Sequence, residues 1–196
     1  MQKLKICGIR TEESYKICVD SGIDYIGLNF CNKSHRKIKK NGFLSNLDRK
    51  NTKLVGVFMQ NSINEILEIT NIYKLDIIQV YDTNLISNLK KKLQGDNDIW
   101  LSMHCFDKLI DNVNLILFDN KNPGTGLKLD INKTKTICDK INTPFGIAGG
   151  INAHNILEFK TNFPNATVLD LASGVEKNKE FFKTKFNKII KLFYGK

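Results

Sequence analysis

Three side chains that can move a proton stand where an apolar run of this sequence stops. Cys7 ends KLKIC just before a glycine, Asp119 ends NLILFD, and Asp170 lies near the end of ATVLDLA. A thiol in such a place can be buried filler, half of a disulfide, a metal ligand or a catalytic group. The five cysteines, Cys7, Cys18, Cys31, Cys105 and Cys138, are odd in number and scattered, without the close pairs that zinc and redox motifs need. No metal site or disulfide framework is expected, and all but Cys7 read as small buried hydrophobes. Period-two alternation puts Lys3, Lys5 and Cys7 on one face of the first run and Leu4 and Ile6 on the other. A lysine two residues below the thiol favours the thiolate, which is the reactive form. It can equally pair with a buried carboxylate and only hold the fold together. The same parity joins Leu115, Leu117 and Asp119 on one face, and Val168 and Asp170 on another. An aspartate crowning an apolar stripe is costly unless it has partners or work to do. Desolvation raises its pKa and can keep it protonated as an acid. Asp170 has a second reading, as a residue that starts a loop or caps a helix.

The elements that must position these groups follow a repeated beat, a short β-rich run and then a stretch with helical spacing. The runs cover residues 3–7, 25–30, 53–58, 76–81, 98–104, 114–119, 143–149 and 166–172. Helices are expected over TEESYKICVDSG, GFLSNLDRK, SINEILEITNIY, TNLISNLKKKL, a short piece near FDKLIDN, DINKTKTICDKI, AHNILEFKTNF and KEFFKTKFNKIIKLFY. Eight such units make one α/β domain over residues 1–196, a single compact (β/α)8 barrel, with an open doubly wound sheet as the alternative. A barrel gathers its chemistry where strands end. Cys7, Asn29, Gln79, His104, Asp119 and Asp170 all fall at or near such ends.

Three glycine-bearing turns follow the last three strands: NPGTG with Gly124, Thr125 and Gly126, AGGIN with Gly149 and Gly150, and ASGVE with Ser173 and Gly174. Each can turn backbone N–H groups toward an anion, and the loops after the seventh and eighth strands are where barrels commonly hold phosphate.

The 196 residues carry a net charge of +10, built almost wholly from lysine, with arginine only at Arg10, Arg36 and Arg49. The lysines are spread over every segment, so they read as solvated faces rather than a phosphate-reading patch, and no nucleic-acid partner is expected. Their field attracts small anionic substrates. No run approaches the roughly 18 apolar residues of a membrane span, and no apolar signal region opens the chain, so the expectation is a cytoplasmic protein without a membrane partner.

Taken in order, KICGIR, NF followed by SHR, GVF, QVY, LILFD with PGTG, IAGGIN with Asn155, and LDLASGVE resemble the phosphoribosylanthranilate isomerases of tryptophan biosynthesis from about Lys5 to Glu180. The resemblance implies a cofactor-free Amadori rearrangement of an anionic phosphosugar, here by a monomer. It assigns the general base to Cys7, the general acid to Asp119, the substrate carboxylate to Arg36, sugar positioning to Asp170 and phosphate to the glycine turns. A guanidinium can grip a carboxylate with two parallel bonds, which a lysine cannot. The chain departs from the family pattern at His35, where Ser-Pro-Arg is usual, at Tyr81-Asp82, where His-Gly is usual, and at Pro123, which removes one backbone donor. Two other readings are a related aminoaldose phosphosugar isomerase, which would be expected to use paired aspartates, and a catalytically decayed phosphate-binding barrel.

Overall fold

The structure, a computed structural model, describes residues 1–38, 46–93, 95, 97–103, 112–120 and 129–195. Eight parallel strands close into a ring: β1 (Lys3–Cys7), β2 (Tyr25–Asn29), β3 (Lys53–Phe58), β4 (Ile77–Val80), β5 (Asp98–Met103), β6 (Leu115–Phe118), β7 (Phe145–Ile147) and β8 (Val168–Leu171). β8 pairs with β1, so the barrel is closed and the open-sheet alternative falls. Helices α1 (Glu12–Asp20), α2 (Ile63–Tyr73), α3 (Asn84–Lys92), α4 (Ile131–Cys138), α5 (Ile156–Asn162) and α6 (Lys183–Tyr194) lie along the chain between and after the strands. Their starts are written locally. Thr11 and Ser14 close a reciprocal cap on α1, Ser62 and Glu65 do so on α2, and Asp130 accepts from the Lys133 N–H at the head of α4.

Strand parity builds two apolar layers with different jobs. Outward residues such as Leu4, Ile6, Ile78, Ile116 and Leu169 join the helices in one continuous core, while Tyr25, Val55, Ile77, Trp100, Leu115, Leu117, Ala148 and Val168 pack with each other inside the ring. The barrel is therefore a plugged cylinder, not a pore. The inward positions nearer the strand C-termini break that pattern with Lys5, Cys7, Gln79, Ser102 and Asp170. Chemistry sits on top of the plug.

Two expected helices differ from what is found. The described part of GFLSNLDRK, residues 46–50, is turn and coil, while most of FDKLIDN lies outside the described residues. The terminal helix begins at Lys183 rather than Lys179, because residues 176–181 form a small hairpin of β9 (Glu176–Lys177) and β10 (Glu180–Phe181). Asn178 and Lys179 both take positive φ, 53° and 65°, the geometry of a two-residue hairpin turn whose twist suits the strands. A lysine in that conformation is uncommon, which hides the turn from a residue-type reading.

Candidate active site

The register of β1 against β8 sets Lys5 beside Asp170. The Lys5 ammonium donates to Asp170 Oδ2 at 2.7 Å, with Lys5 0% and Asp170 8% exposed. Asp170 is thus a strand residue in a buried ion pair, not a helix cap. One alternation up β1, Cys7 faces the cleft, and Gly27 on β2 leaves it room: a β-carbon at Gly27 would lie 2.8 Å from the Cys7 sulfur.

The charges around the thiol oppose one another. Burial pushes the Cys7 thiol up, Lys5 draws it down, Asp170 pushes it up again and Arg36 draws it down, with a net upward direction. Of the two sequence readings of Lys5, the pairing with a buried carboxylate is the one found, and its pull on the thiol is outweighed by burial with the Asp170 charge added. Asp119 is displaced in the direction its burial led one to expect, but not far enough to stay protonated at neutral pH. Burial raises it to about 6, the Asp170 charge adds to that rise, and the N–H of Asn120, donating to Oδ1 at 2.8 Å, partly opposes it.

A second ion pair stands on the rim. Arg36 donates from Nε to Glu176 Oε1 and from Nη2 to Glu176 Oε2, both at 2.7 Å, a two-pronged contact between the segment after β2 and the start of β9. The backbone shapes itself to the arginine: Gly8 has φ +84°, and a β-carbon there would lie 2.5 Å from Arg36 Cδ. Arg10 ties the same two segments, donating to the His35 and Lys179 carbonyls at 2.8 and 2.9 Å and pairing with Glu180 at 2.7 Å. Lys185 holds the Glu176 carbonyl at 2.7 Å. Burial and the neighbouring Arg36 lower the pKa of His35, so at neutral pH it adds no cation to this rim.

Asp170 and Arg36, one partner from each ion pair, open on one cleft of about 390 Å³, within the range of small-molecule sites. Cys7, Arg36, Asp119, Gly149, Gly150, Asp170 and Ser173 line it together. The turns after β7 and β8 touch, since a β-carbon on Gly174 would lie 2.1 Å from the Ile151 carbonyl oxygen. Gly149 and Gly150 take φ of 92° and 73°. Gly124, Thr125 and Gly126, and also His104, lie outside the described residues.

The sequence reading missed Glu176 as the partner of Arg36, although it stands in the SGVE stretch, because a lone acidic residue there has no periodic signal. Tyr81 also lines the cleft, and burial, with the Asp119, Cys7 and Asp170 charges behind it, holds its phenol well above the ordinary value and hence neutral. Among the described residues no three His, Cys, Asp or Glu side chains gather as a metal site, and no helix is long and apolar enough to cross a membrane.

Comparison with known proteins extends these observations. The profile of the family described as N-(5'phosphoribosyl)anthranilate (PRA) isomerase matches residues 4–193. The N-(5'-phosphoribosyl)anthranilate isomerase of Clostridium beijerinckii is 34% identical over 204 aligned residues, covering 90% of this chain and 88% of that one. Among solved structures, phosphoribosyl anthranilate isomerase from Thermus thermophilus superposes with a TM-score of 0.87 at 20% identity, over 99% of both chains. A further phosphoribosyl anthranilate isomerase, solved in complex with reduced 1-(o-carboxyphenylamino)-1-deoxyribulose 5-phosphate, superposes with a TM-score of 0.82 at 21% identity over 100% of both chains.

Proposed function

This chain belongs to the N-(5'-phosphoribosyl)anthranilate isomerase family, and from that premise we propose how its own residues carry the isomerisation. The reaction moves no electrons to or from an outside partner. A proton reaches the furanose oxygen as the ring opens to the imine, the proton on C2 of the sugar departs, and the resulting enolamine becomes the ketone when C1 is protonated and the C2 hydroxyl gives up its proton. Asp119 donates to the ring oxygen and Cys7 removes the C2 proton, one group from each side of the cleft.

This requires the pair to hold one proton between them. With Asp119 at about 6 and Cys7 displaced upward, the pair holds that proton across the neutral range, resting more on sulfur than on carboxyl. The productive arrangement is reached by shifting the proton to Asp119. A ligand that displaces water from the cleft favours that shift by desolvating the carboxylate further, while Lys5 and Arg36 support the thiolate left behind.

Arg36, held flat by Glu176, meets the anthranilate carboxylate. The turns at Gly149–Gly150 and Ser173–Gly174 receive the phosphate with backbone N–H groups, joined in this reading by Gly124, Thr125 and Gly126. Asp170 positions the sugar between these two anionic ends. The chain works as a cytoplasmic monomer on this small anionic phosphosugar, and light scattering that returned a dimer mass would replace the monomer. The observation that carries the reading is that Cys7 and Asp119, from β1 and the end of β6, open on one cleft with Asp170, an arginine and two glycine turns. The test is to add purified protein to freshly generated phosphoribosylanthranilate and follow the loss of its fluorescence. A rate no greater than spontaneous decay would point to a barrel that has lost its activity.

A further inference from the structure

Four buried side-chain polar atoms have no hydrogen-bond partner among the described residues: Tyr15 OH, Asn61 Oδ1, Gln79 Oε1 and Asp170 Oδ1. Leaving a buried acceptor unmet is costly, so each asks for a reason. Tyr15 and Asn61 are not part of the cleft lining. Gln79 and Asp170 both are, and they are 2% and 8% exposed.

Their other ends are already fixed. Asp170 gives Oδ2 to Lys5, and Gln79 donates from Nε2 to Ser102 Oγ on β5 at 2.8 Å, which leaves its carboxamide oxygen as the unmet atom. The two residues come from β4 and β8, staves on opposite sides of an eight-stranded ring. Both point inward above the apolar plug formed by residues such as Ile77 and Val168, each two positions earlier on its own strand. A ligand that satisfies both must bring at least two hydrogen-bond donors to the floor of the cleft, set apart from its anionic ends. A carboxylate or phosphate has no donor to offer there. A polyol does.

Resting on the phosphosugar reading above, we infer that Gln79 is a specificity-determining residue: its carboxamide oxygen accepts a hydrogen bond from a sugar hydroxyl, across the cleft floor from Asp170. The Ser102 bond orients the amide for this task.

The probes are reduced 1-(o-carboxyphenylamino)-1-deoxyribulose 5-phosphate and analogues of it that each lack one sugar hydroxyl, with Kd measured by calorimetry. Gln79→Met is expected to weaken the parent ligand about tenfold. One analogue should bind wild type about tenfold less well than the parent and lose nothing further in Gln79→Met. Gln79→Glu, held as a neutral acid by burial, keeps an acceptor oxygen and should stay within about threefold of wild type, which also covers the case in which Gln79→Met does not fold. Equal losses for every analogue in Gln79→Met would reduce Gln79 to a structural tether and overturn the proposal. A wild-type protein that binds none of these ligands would instead overturn the substrate reading beneath it.

Discussion

The cleft holds two ion pairs of the same length and unlike construction. Lys5–Asp170 joins neighbouring strands, is nearly sealed from water, and uses one bond of 2.7 Å. Arg36–Glu176 joins two segments outside the ring and uses two bonds of 2.7 Å with both partners slightly open to solvent. The inner pair cannot swing, because both side chains rise from backbones locked in register. The outer pair holds its geometry through the planar fork of the guanidinium and through Gly8, Arg10 and Lys185 around it. The inner pair is thus suited to fixing charge beside Cys7 and Asp119, and the outer pair to presenting a flat cation to something that arrives. Stability and turnover should depend on the first, and ligand capture on the second.

The largest effects should come from the groups next to the inner pair. Cys7→Ser and Asp119→Asn should each lower kcat by about 10²–10⁴ with little change in KM, since a hydroxyl is too weak an acid to supply the base and an amide cannot donate the proton. Near-wild-type turnover in either variant, measured by fluorescence loss, would remove it from the proton-transfer pair. Lys5→Met strands Asp170 as a buried charge and should destabilise by about 3–5 kcal/mol in urea titration, while Lys5→Met with Asp170→Leu should recover most of that loss. A mild effect in the single variant would mean that the inner pair is not what holds the two strands' charges in check.

Asp119 should move stability the other way. Its folded-state pKa of about 6 lies above the unfolded value near 4, so the folded chain binds the extra proton, and stability is lost as pH rises from about 4 to 6. Asp119→Asn should therefore be more stable than wild type at pH 7 by about 3 kcal/mol, and equal stabilities there would contradict a desolvated carboxylate. On the rim, Glu176→Gln should raise KM about tenfold with a smaller change in kcat, because the guanidinium keeps its charge and loses its alignment. A fall in kcat alone would tie the outer pair to the chemistry after all. The gentlest test is the pH profile of kcat/KM, which should fall below about 6 and again only above the ordinary thiol range, whereas whatever residual activity Asp119→Asn retains should rise through the thiol range and show no alkaline limb.

Most of the inner region was legible in the sequence, and most of the outer region was not. Alternation alone placed Lys5 and Cys7 inward and Leu4 and Ile6 outward, because a strand has only two faces and the apolar residues choose one. The same logic raised Asp119 and Asp170 above Leu117 and Val168. It could not decide whether Lys5 served the thiol or a carboxylate, since that depends on the register between strands 165 residues apart in the chain. Around Arg36 no period exists to read. Its partner Glu176 is fixed by a hairpin turn built on Asn178 and Lys179, whose residue types announce no such turn. Gln79 was visible at a strand end, but an unmet oxygen exists only once the surrounding atoms are in place.

Closure of the ring has a consequence for how the protein comes into being. Lys5 is synthesised 165 residues ahead of Asp170, and β2, its other neighbour, sets Tyr25 rather than a carboxylate beside it. At the usual pace of about 5–20 residues per second, the ammonium of Lys5 waits on the order of ten seconds for its counter-charge, and must remain hydrated until then. The first strand therefore cannot settle into its final dry position early. A nascent chain halted before Val168 would hold seven staves with a gap at the seam, its edges open and its thiol beside a wet lysine, and the last strand to dock would be the one that switches the enzyme on.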